Sequence, residues 1–142
     1  MKVNEFASAL LKAVESTPIY AKALNELPYF KARLVGGCNT FCSIVSAKDY
    51  RIVSVPQILG NGEMYSLVSL EFLDSERKVS GEPFPLVYLS STQSNYPFDD
   101  GIRIFYALSA EFVIQARAIL GMERNMNRMR MIGVGVLHEI SL

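Results

Sequence analysis

The residues best suited to chemistry in this chain are one histidine, two cysteines and a pair of adjacent aspartates. His138 is the only imidazole, so a serine or cysteine nucleophile would need it as general base. It shares the alternation of Val136 and Ile140, which predicts a place on the apolar side of a strand. Neither a Gly-x-Ser-x-Gly elbow nor a Gly-Lys-Ser/Thr phosphate loop accompanies it. The sequence therefore names no catalytic residue and favours a protein that is not an enzyme.

Metal and cofactor chemistry finds equally little support. Cys38 and Cys42 lie four residues apart, which is not the spacing of a zinc knuckle, and they read as free thiols of a reducing cytosol. Asp99 and Asp100 stand one helical turn before Arg103, which predicts a helix cap with an ion pair rather than a catalytic pair of carboxylates. We expect no metal and no cofactor.

A segment rich in arginine and methionine is the most informative local feature. Between residues 117 and 130 the sequence has four arginines but only one glutamate, and methionines are interspersed among them. Arginine and methionine are both enriched at protein interfaces, where the flexible thioether adapts to the shape of a partner. A solvated connection between a helix and a strand would also fit this composition. The predicted partner-contacting residues are Arg117, Arg124, Met126, Arg128 and Arg130.

The same arginines admit a second interpretation, as phosphate contacts to single-stranded nucleic acid, with Tyr96 or Tyr106 as stacking platforms. A hairpin sheet followed by a long helix ending in Ile119-Leu120-Gly121 resembles the layout of single-strand annealing proteins of phages. That resemblance covers about half the chain, rests on the order of elements, and implies nucleic-acid binding. The charge balance, 14 basic against 14 acidic residues, disfavours this interpretation.

A third interpretation is an enzyme or carrier with a small-molecule pocket between helices and sheet. Its polar residues would be Tyr88, Tyr96, Tyr106 and His138. No motif in the sequence selects a substrate for such a pocket.

Composition and charge describe the surroundings of these residues. The chain has 142 residues, half of them hydrophobic. We expect residues 1–15 not to act as a signal peptide, and charged residues interrupt the longest apolar stretch. We therefore expect one soluble globular domain over residues 1–142, in the cytoplasm of a bacterium or of an infected host cell. Zero net charge leaves self-association weakly opposed, which favours a homodimer.

The pattern of apolar residues predicts an α+β fold of two layers. Helical periodicity marks two N-terminal helices that form a hairpin, capped at Asn4 and at Thr17-Pro18. It also marks a long helix that begins after Asp99 or Asp100 and ends at Gly121. Strand-like alternation marks an antiparallel meander and one C-terminal strand. The predicted strands are Thr40–Ala47, Arg51–Leu59, Met64–Leu73, Phe84–Ser90 and Arg128–Leu142.

These observations favour a non-catalytic protein-interaction module, such as an inhibitor, an immunity-type factor, an adaptor or a self-assembling subunit of a phage or bacterium. Its partner would be another protein or a second copy of the chain, and no membrane is implied.

Overall fold

In a computed structural model, residues 2–35, 49–92, 100–120, 128–133 and 136–141 are described, the last two ranges by their backbone. They form three helices and one sheet of six strands, which confirms the predicted α+β class. The helices are α1 (Val3–Glu15), α2 (Pro18–Glu26) and α3 (Gly101–Leu120). The strands are β1 (Lys31–Leu34), β2 (Asp49–Ile58), β3 (Glu63–Leu73), β4 (Phe84–Thr92), β5 (Arg128–Gly133) and β6 (Val136–Ser141).

The two N-terminal helices form the predicted hairpin. Thr17 is the N-cap of α2 and Pro18 its first residue, where the missing N–H of proline costs no hydrogen bond. The N-cap of α1 is Lys2, not Asn4, which lies inside the first turn. The buried face of α1 follows helical spacing and comprises Val3, Phe6, Ala7, Leu10 and Val14.

Helix α3 is the longest element and contacts α1, α2, β2 and β3. Its buried stripe includes Phe105, Phe112, Val113 and Ala116, whereas Ile102, Ile119 and Leu120 pack on the core from half-buried positions. The carbonyl of Asp100 accepts the first helical hydrogen bond, from the Ile104 N–H at 3.0 Å. No helix of the described residues combines the length and the apolar character needed to cross a bilayer.

The sheet has the strand order β1-β4-β3-β2-β5-β6. All neighbours are antiparallel except β2 and β5, which run parallel, because α3 carries the chain back across the sheet before β5 begins. The prediction of one strand over Arg128–Leu142 is wrong, since Gly133 pairs with Val136 and the segment forms the β5–β6 hairpin. Strand β1 was not predicted, and the predicted strand Thr40–Ala47 lies outside the described residues.

Pro56 lies in β2, and because a proline cannot donate a ladder hydrogen bond, its presence predicts an edge strand or a bulge. Over residues 52–54 this strand is instead internal, paired with β3 on one side and with β5 on the other. The pairing with β5 ends before Pro56, which is opposite Ser66 of β3. The proline therefore takes no N–H away from the described ladder between β2 and β5.

A chain of three serine hydroxyls crosses the otherwise apolar interface between α3 and the sheet. Ser109 of α3 donates to Ser66 of β3 at 3.2 Å, and Ser66 shares a second hydrogen bond of 3.2 Å with Ser54 of β2. All three residues are buried, with at most 1% of their surface exposed. Since a buried hydroxyl without a partner is costly, this chain favours one placement of α3 on the sheet.

We expect Ser66→Ala to lower the free energy of unfolding by about 2 kcal/mol, because it removes the common partner of the other two hydroxyls. Urea unfolding measures this loss. Ser90→Ala, at a half-buried position of β4, is the matched control and should change stability by less than about 0.5 kcal/mol. Equal losses in the two variants would contradict a special role for the serine chain.

Candidate functional site

The sheet has one face against α1 and α3 and a second face, here called the outer face, that points away from them. Alternation along β3 separates the two faces. Met64, Ser66, Val68 and Leu70 are fully buried toward the helices, whereas Leu67 on the outer face is 36% exposed.

Five side chains from β1, β3 and β4 form a cluster on the outer face, which we call the tyrosine patch. Its members are Lys31, Arg33, Tyr65, Leu67 and Tyr88. One row of the sheet places Arg33 opposite Tyr88 and Tyr88 opposite Leu67. The next row places Lys31 and Tyr65 on either side of a serine of β4. Side chains in such rows touch their cross-strand neighbours, so the patch is contiguous.

Specific contacts hold the aromatic side chains of the patch in place. The guanidinium carbon of Arg33 lies 5.0 Å from the centroid of the Tyr88 ring, within the range of a cation–π contact. The rings of Tyr65 and Tyr88 are 5.9 Å apart and tilted by 37°. The hydroxyl of Tyr65 donates a hydrogen bond to the carboxylate of Glu63 on the same strand. The two rings therefore lose little further freedom if a ligand binds over them.

The hydrogen bond to Glu63 also raises the pKa of Tyr65, with smaller contributions from burial and from the negative charge of Glu63. The phenol therefore keeps its proton at neutral pH and acts as a donor. Burial raises the pKa of Tyr50 as well, at the opposite, helix-covered side of the sheet.

The far end of the outer face, toward β2, differs from the patch because it is buried. Arg51 of β2 pairs with Glu71, its cross-strand neighbour on β3, at a distance of 3.0 Å between Nε and Oε1. Their side chains are only 12% and 10% exposed, and the adjacent Val53 and Ser69 are buried. The accessible part of the outer face is therefore the end that carries β1 and β4.

The structure distributes the sequence-predicted partner residues over several elements. Arg117 is half-buried in the last turn of α3, where a cation complements the helix dipole. Arg128 and Arg130 lie in β5, and Arg130 is in register with Val53 of β2. Arg124 and Met126 lie outside the described residues. These five residues therefore stay a prediction.

The residues proposed for a small-molecule pocket are also separated. Tyr88 belongs to the outer face, because its neighbours Val87 and Leu89 are the fully buried ones. Tyr106 is half-buried on α3, His138 lies in β6 in register with Met131, and Tyr96 is outside the described residues. Tyr88 therefore lies on the face of the sheet that points away from the helices, and the small-molecule pocket stays a prediction. Among the described side chains, no group of three or more His, Cys, Asp or Glu is arranged to hold a metal ion.

Sequence reasoning missed the tyrosine patch for a definite reason. Tyr65 and Tyr88 were correctly assigned to strands, but their proximity depends on the order of those strands. Arg33 and Lys31 join them only through β1, a four-residue strand with a weak local signal. The one available hint is the alternation of Lys31, Ala32, Arg33 and Leu34, which matches a half-covered strand.

The variant Glu63→Gln tests the assigned hydrogen bond. Because it removes the carboxylate acceptor and its charge, the pKa of Tyr65 should fall toward the ordinary value of 10.0. A raised tyrosine pKa stabilises the fold below about pH 10, and this contribution is lost at higher pH. The free energy of unfolding of the variant should therefore depend less on pH in that alkaline range. Tyrosinate absorbance, with Tyr65→Phe to identify the group, measures the shift. An unchanged titration would contradict the bond.

The buried ion pair gives a second prediction. Glu71→Gln leaves the buried charge of Arg51 without this carboxylate, and we expect a loss of about 3 kcal/mol in the free energy of unfolding. The control is Glu76→Gln, in a pair with Lys78 whose side chains are 73% and 75% exposed, where less than about 0.5 kcal/mol should be lost. Similar losses at both sites would show that the pair between β2 and β3 has no particular weight.

In comparisons with known proteins, the chain matches no protein-family model, no curated protein and no solved structure.

Proposed function

We propose that this protein is a non-catalytic protein-interaction module that binds its partner through the tyrosine patch. The observation that carries the proposal is the cluster of two positioned tyrosines, Arg33 and the exposed Leu67 on the accessible end of the outer face. Tyrosine and arginine are the residue types that, with tryptophan, dominate the binding energy of protein interfaces. Inhibitors, immunity-type factors, adaptors and assembly subunits all share this mode of action.

The geometry of the patch supports a protein partner in particular. A tyrosine offers a large apolar ring and a polar hydroxyl at a low cost in side-chain entropy, which suits it to hot spots. Leu67 adds apolar area at the end of the row of Arg33 and Tyr88 that is nearer to β2, while Glu63 and Lys31 provide charges of both signs at the border. An apolar and aromatic centre with a polar rim is the usual anatomy of a protein interface.

Single-stranded nucleic acid is the second candidate, favoured by one specific observation. Lys31 and Arg33 are exposed and stand beside two tyrosine rings on a sheet, an arrangement that resembles platforms for stacked bases. Two cations predict a shallow dependence on salt, with a slope of roughly −1.4 in log affinity against log salt concentration. The balanced charge of the whole chain favours the protein partner.

The arginine segment is retained as a second contact region. Its described members lie in the last turn of α3 (Arg117) and in β5 (Arg128 and Arg130), and three strands separate β5 from β1 in the sheet. The arginine segment and the tyrosine patch would therefore contact different parts of a partner. We place the activity in the cytoplasm, the compartment predicted from the two isolated cysteines.

Site-selective photocrosslinking tests the proposal. Benzoylphenylalanine at Leu67 reports on the patch, and the same group at Ile114 of α3, which is 50% exposed, is the matched control. After irradiation in an extract of cells that make the protein, we expect one protein adduct at Leu67 and none at Ile114. The purified partner should then bind Tyr88→Ala about 30-fold more weakly, as for a hot-spot residue of about 2 kcal/mol.

The competing outcomes are distinct. Equal labelling at Leu67 and Ile114, or unchanged affinity of Tyr88→Ala, would show that the partner does not bind through the patch. An adduct at Leu67 that disappears after nuclease treatment would assign the patch to nucleic acid instead. Lys22→Ala, at an exposed position of α2, should bind the partner like the parent protein and controls for a general effect of charge.

A further inference from the structure

Among the described strands, β1 is the last one on its side of the sheet. Its backbone N–H and C=O groups point in two directions. It pairs with β4 through residues 31–34, and the Val35 N–H continues this ladder by donating to the carbonyl of Leu86 at 3.1 Å. In an antiparallel pair, alternate residues turn their N–H and C=O toward the neighbour. Lys31, Arg33 and Val35 therefore face β4, and Ala32 and Leu34 direct their backbone groups away from the sheet.

The side chains of β1 alternate in character as well as in direction. Lys31 and Arg33 are exposed on the outer face, whereas Ala32 is half-buried and Leu34 is 41% exposed on the helix side. A strand added at this edge would place its own side chains beside these rows. Its outer-face residues would meet two cations, and its other residues would meet apolar atoms.

This charge pattern opposes pairing of β1 with a second copy of itself. If the two copies keep their helices on the same side, an antiparallel pair with Ala32 opposite itself places Lys31 opposite Arg33, and one with Ala32 opposite Leu34 places Arg33 opposite itself. If one copy is turned over, each cation meets Ala32 or Leu34. Like charges directly opposed destabilise a sheet, and cations on an edge strand discourage self-pairing. The complementary occupant is a strand with carboxylates at alternate positions.

Tyr29 supplies an independent observation at the start of the same edge. The residue is 83% exposed. Its backbone is left-handed, with φ 55°, a conformation uncommon for a residue with a side chain of this size. The turn is held firmly, because the carbonyl of Pro28 accepts hydrogen bonds from the Ser91 hydroxyl at 2.8 Å and from the Thr92 N–H at 3.0 Å. A fixed, strained and exposed aromatic residue points to use as a contact.

The ring of Phe30 fixes the other side of this turn. It packs edge-on against Tyr20 of α2, with 5.5 Å between ring centroids. Tyr29 is thus held between a residue anchored in the helix layer and a carbonyl anchored to β4. The edge of β1 and Tyr29, two residues before the strand, therefore form one fixed surface.

We propose that the β1 edge binds an extended segment of a partner protein, with alternating acidic and apolar residues, as an added strand, and that Tyr29 contacts one end of this segment. The inference rests on the proposed function and specifies the part of the partner that is recognised. Backbone hydrogen bonds to Ala32 and Leu34 would supply affinity, and the alternating side chains would supply selectivity.

The probes are dye-labelled ten-residue peptides in which glutamate alternates with valine or threonine, compared with the same peptide carrying lysine for glutamate. Fluorescence anisotropy should show at least tenfold tighter binding of the acidic peptide. An acidic peptide N-methylated at alternate residues, which cannot complete the backbone ladder, should bind at least tenfold more weakly. Amide exchange at Ala32 and Leu34 should slow when the acidic peptide is bound.

Three variants separate the contributions of backbone, charge and ring. Ala32→Pro removes an outward N–H and leaves the ladder to β4 intact, so it should cost at least tenfold in affinity without unfolding the protein. Lys31→Glu with Arg33→Glu should reverse the preference to the basic peptide. Tyr29→Gly, which suits the left-handed backbone, should fold normally and bind several-fold more weakly. Lys22→Glu on α2 is the charge control and should change nothing.

Two results would overturn the inference: equal affinity for the acidic and basic peptides, or full affinity of Ala32→Pro for the acidic peptide. In that case Lys31 and Arg33 act only to protect the edge from self-pairing. Photocrosslinking at Leu67 decides separately about the proposed function, because a partner still captured there by Ala32→Pro binds the outer face without adding a strand. If the parent protein captures no partner at Leu67, both the proposed function and this inference are overturned.

Discussion

The structure depends on the burial of α3 against one face of the sheet. Phe105, Leu108 and Phe112 repeat at helical spacing and are almost completely buried. Removing such large apolar side chains from water is among the largest favourable contributions a core can make. Helices α1 and α2 both pack against α3, so this one element positions the whole helical layer. All three helices thereby lie on one side of the sheet, and the tyrosine patch faces the other way.

A hydrophobic interface alone would fix the position of α3 poorly, because apolar contacts are not directional. The serine chain from Ser109 through Ser66 to Ser54 adds direction, since each hydroxyl is satisfied at one placement of the helix. The small side chain of Ser109 also lets the helix approach the sheet closely. The position of α3 is therefore coupled to the positions of β2 and β3, and β3 carries Tyr65 and Leu67 of the patch.

The sequence predicts what local periodicity can encode. The helices follow from the spacing of residues such as Phe105 and Phe112, and α2 from the pair Thr17-Pro18. The strands β2, β3 and β4 follow from alternation. The parallel pairing of β2 with β5 has no local signature, because it depends on a crossover of the chain through α3. The patch is equally hidden, since Arg33 and Tyr88 are neighbours only because β1 pairs with a strand far along the chain.

The net charge of the chain does not describe its individual surfaces. A total of zero says nothing about where charges lie, and burial of the pair between Arg51 and Glu71 withdraws one of each sign from the surface. Glu63 is engaged by a tyrosine, while Lys31 and Arg33 stay exposed on the edge strand. The same two cations that oppose pairing between identical edges attract a strand of opposite charge. Protection against self-association and selection of a partner are therefore one property of β1, because both follow from which charge stands opposite each cation.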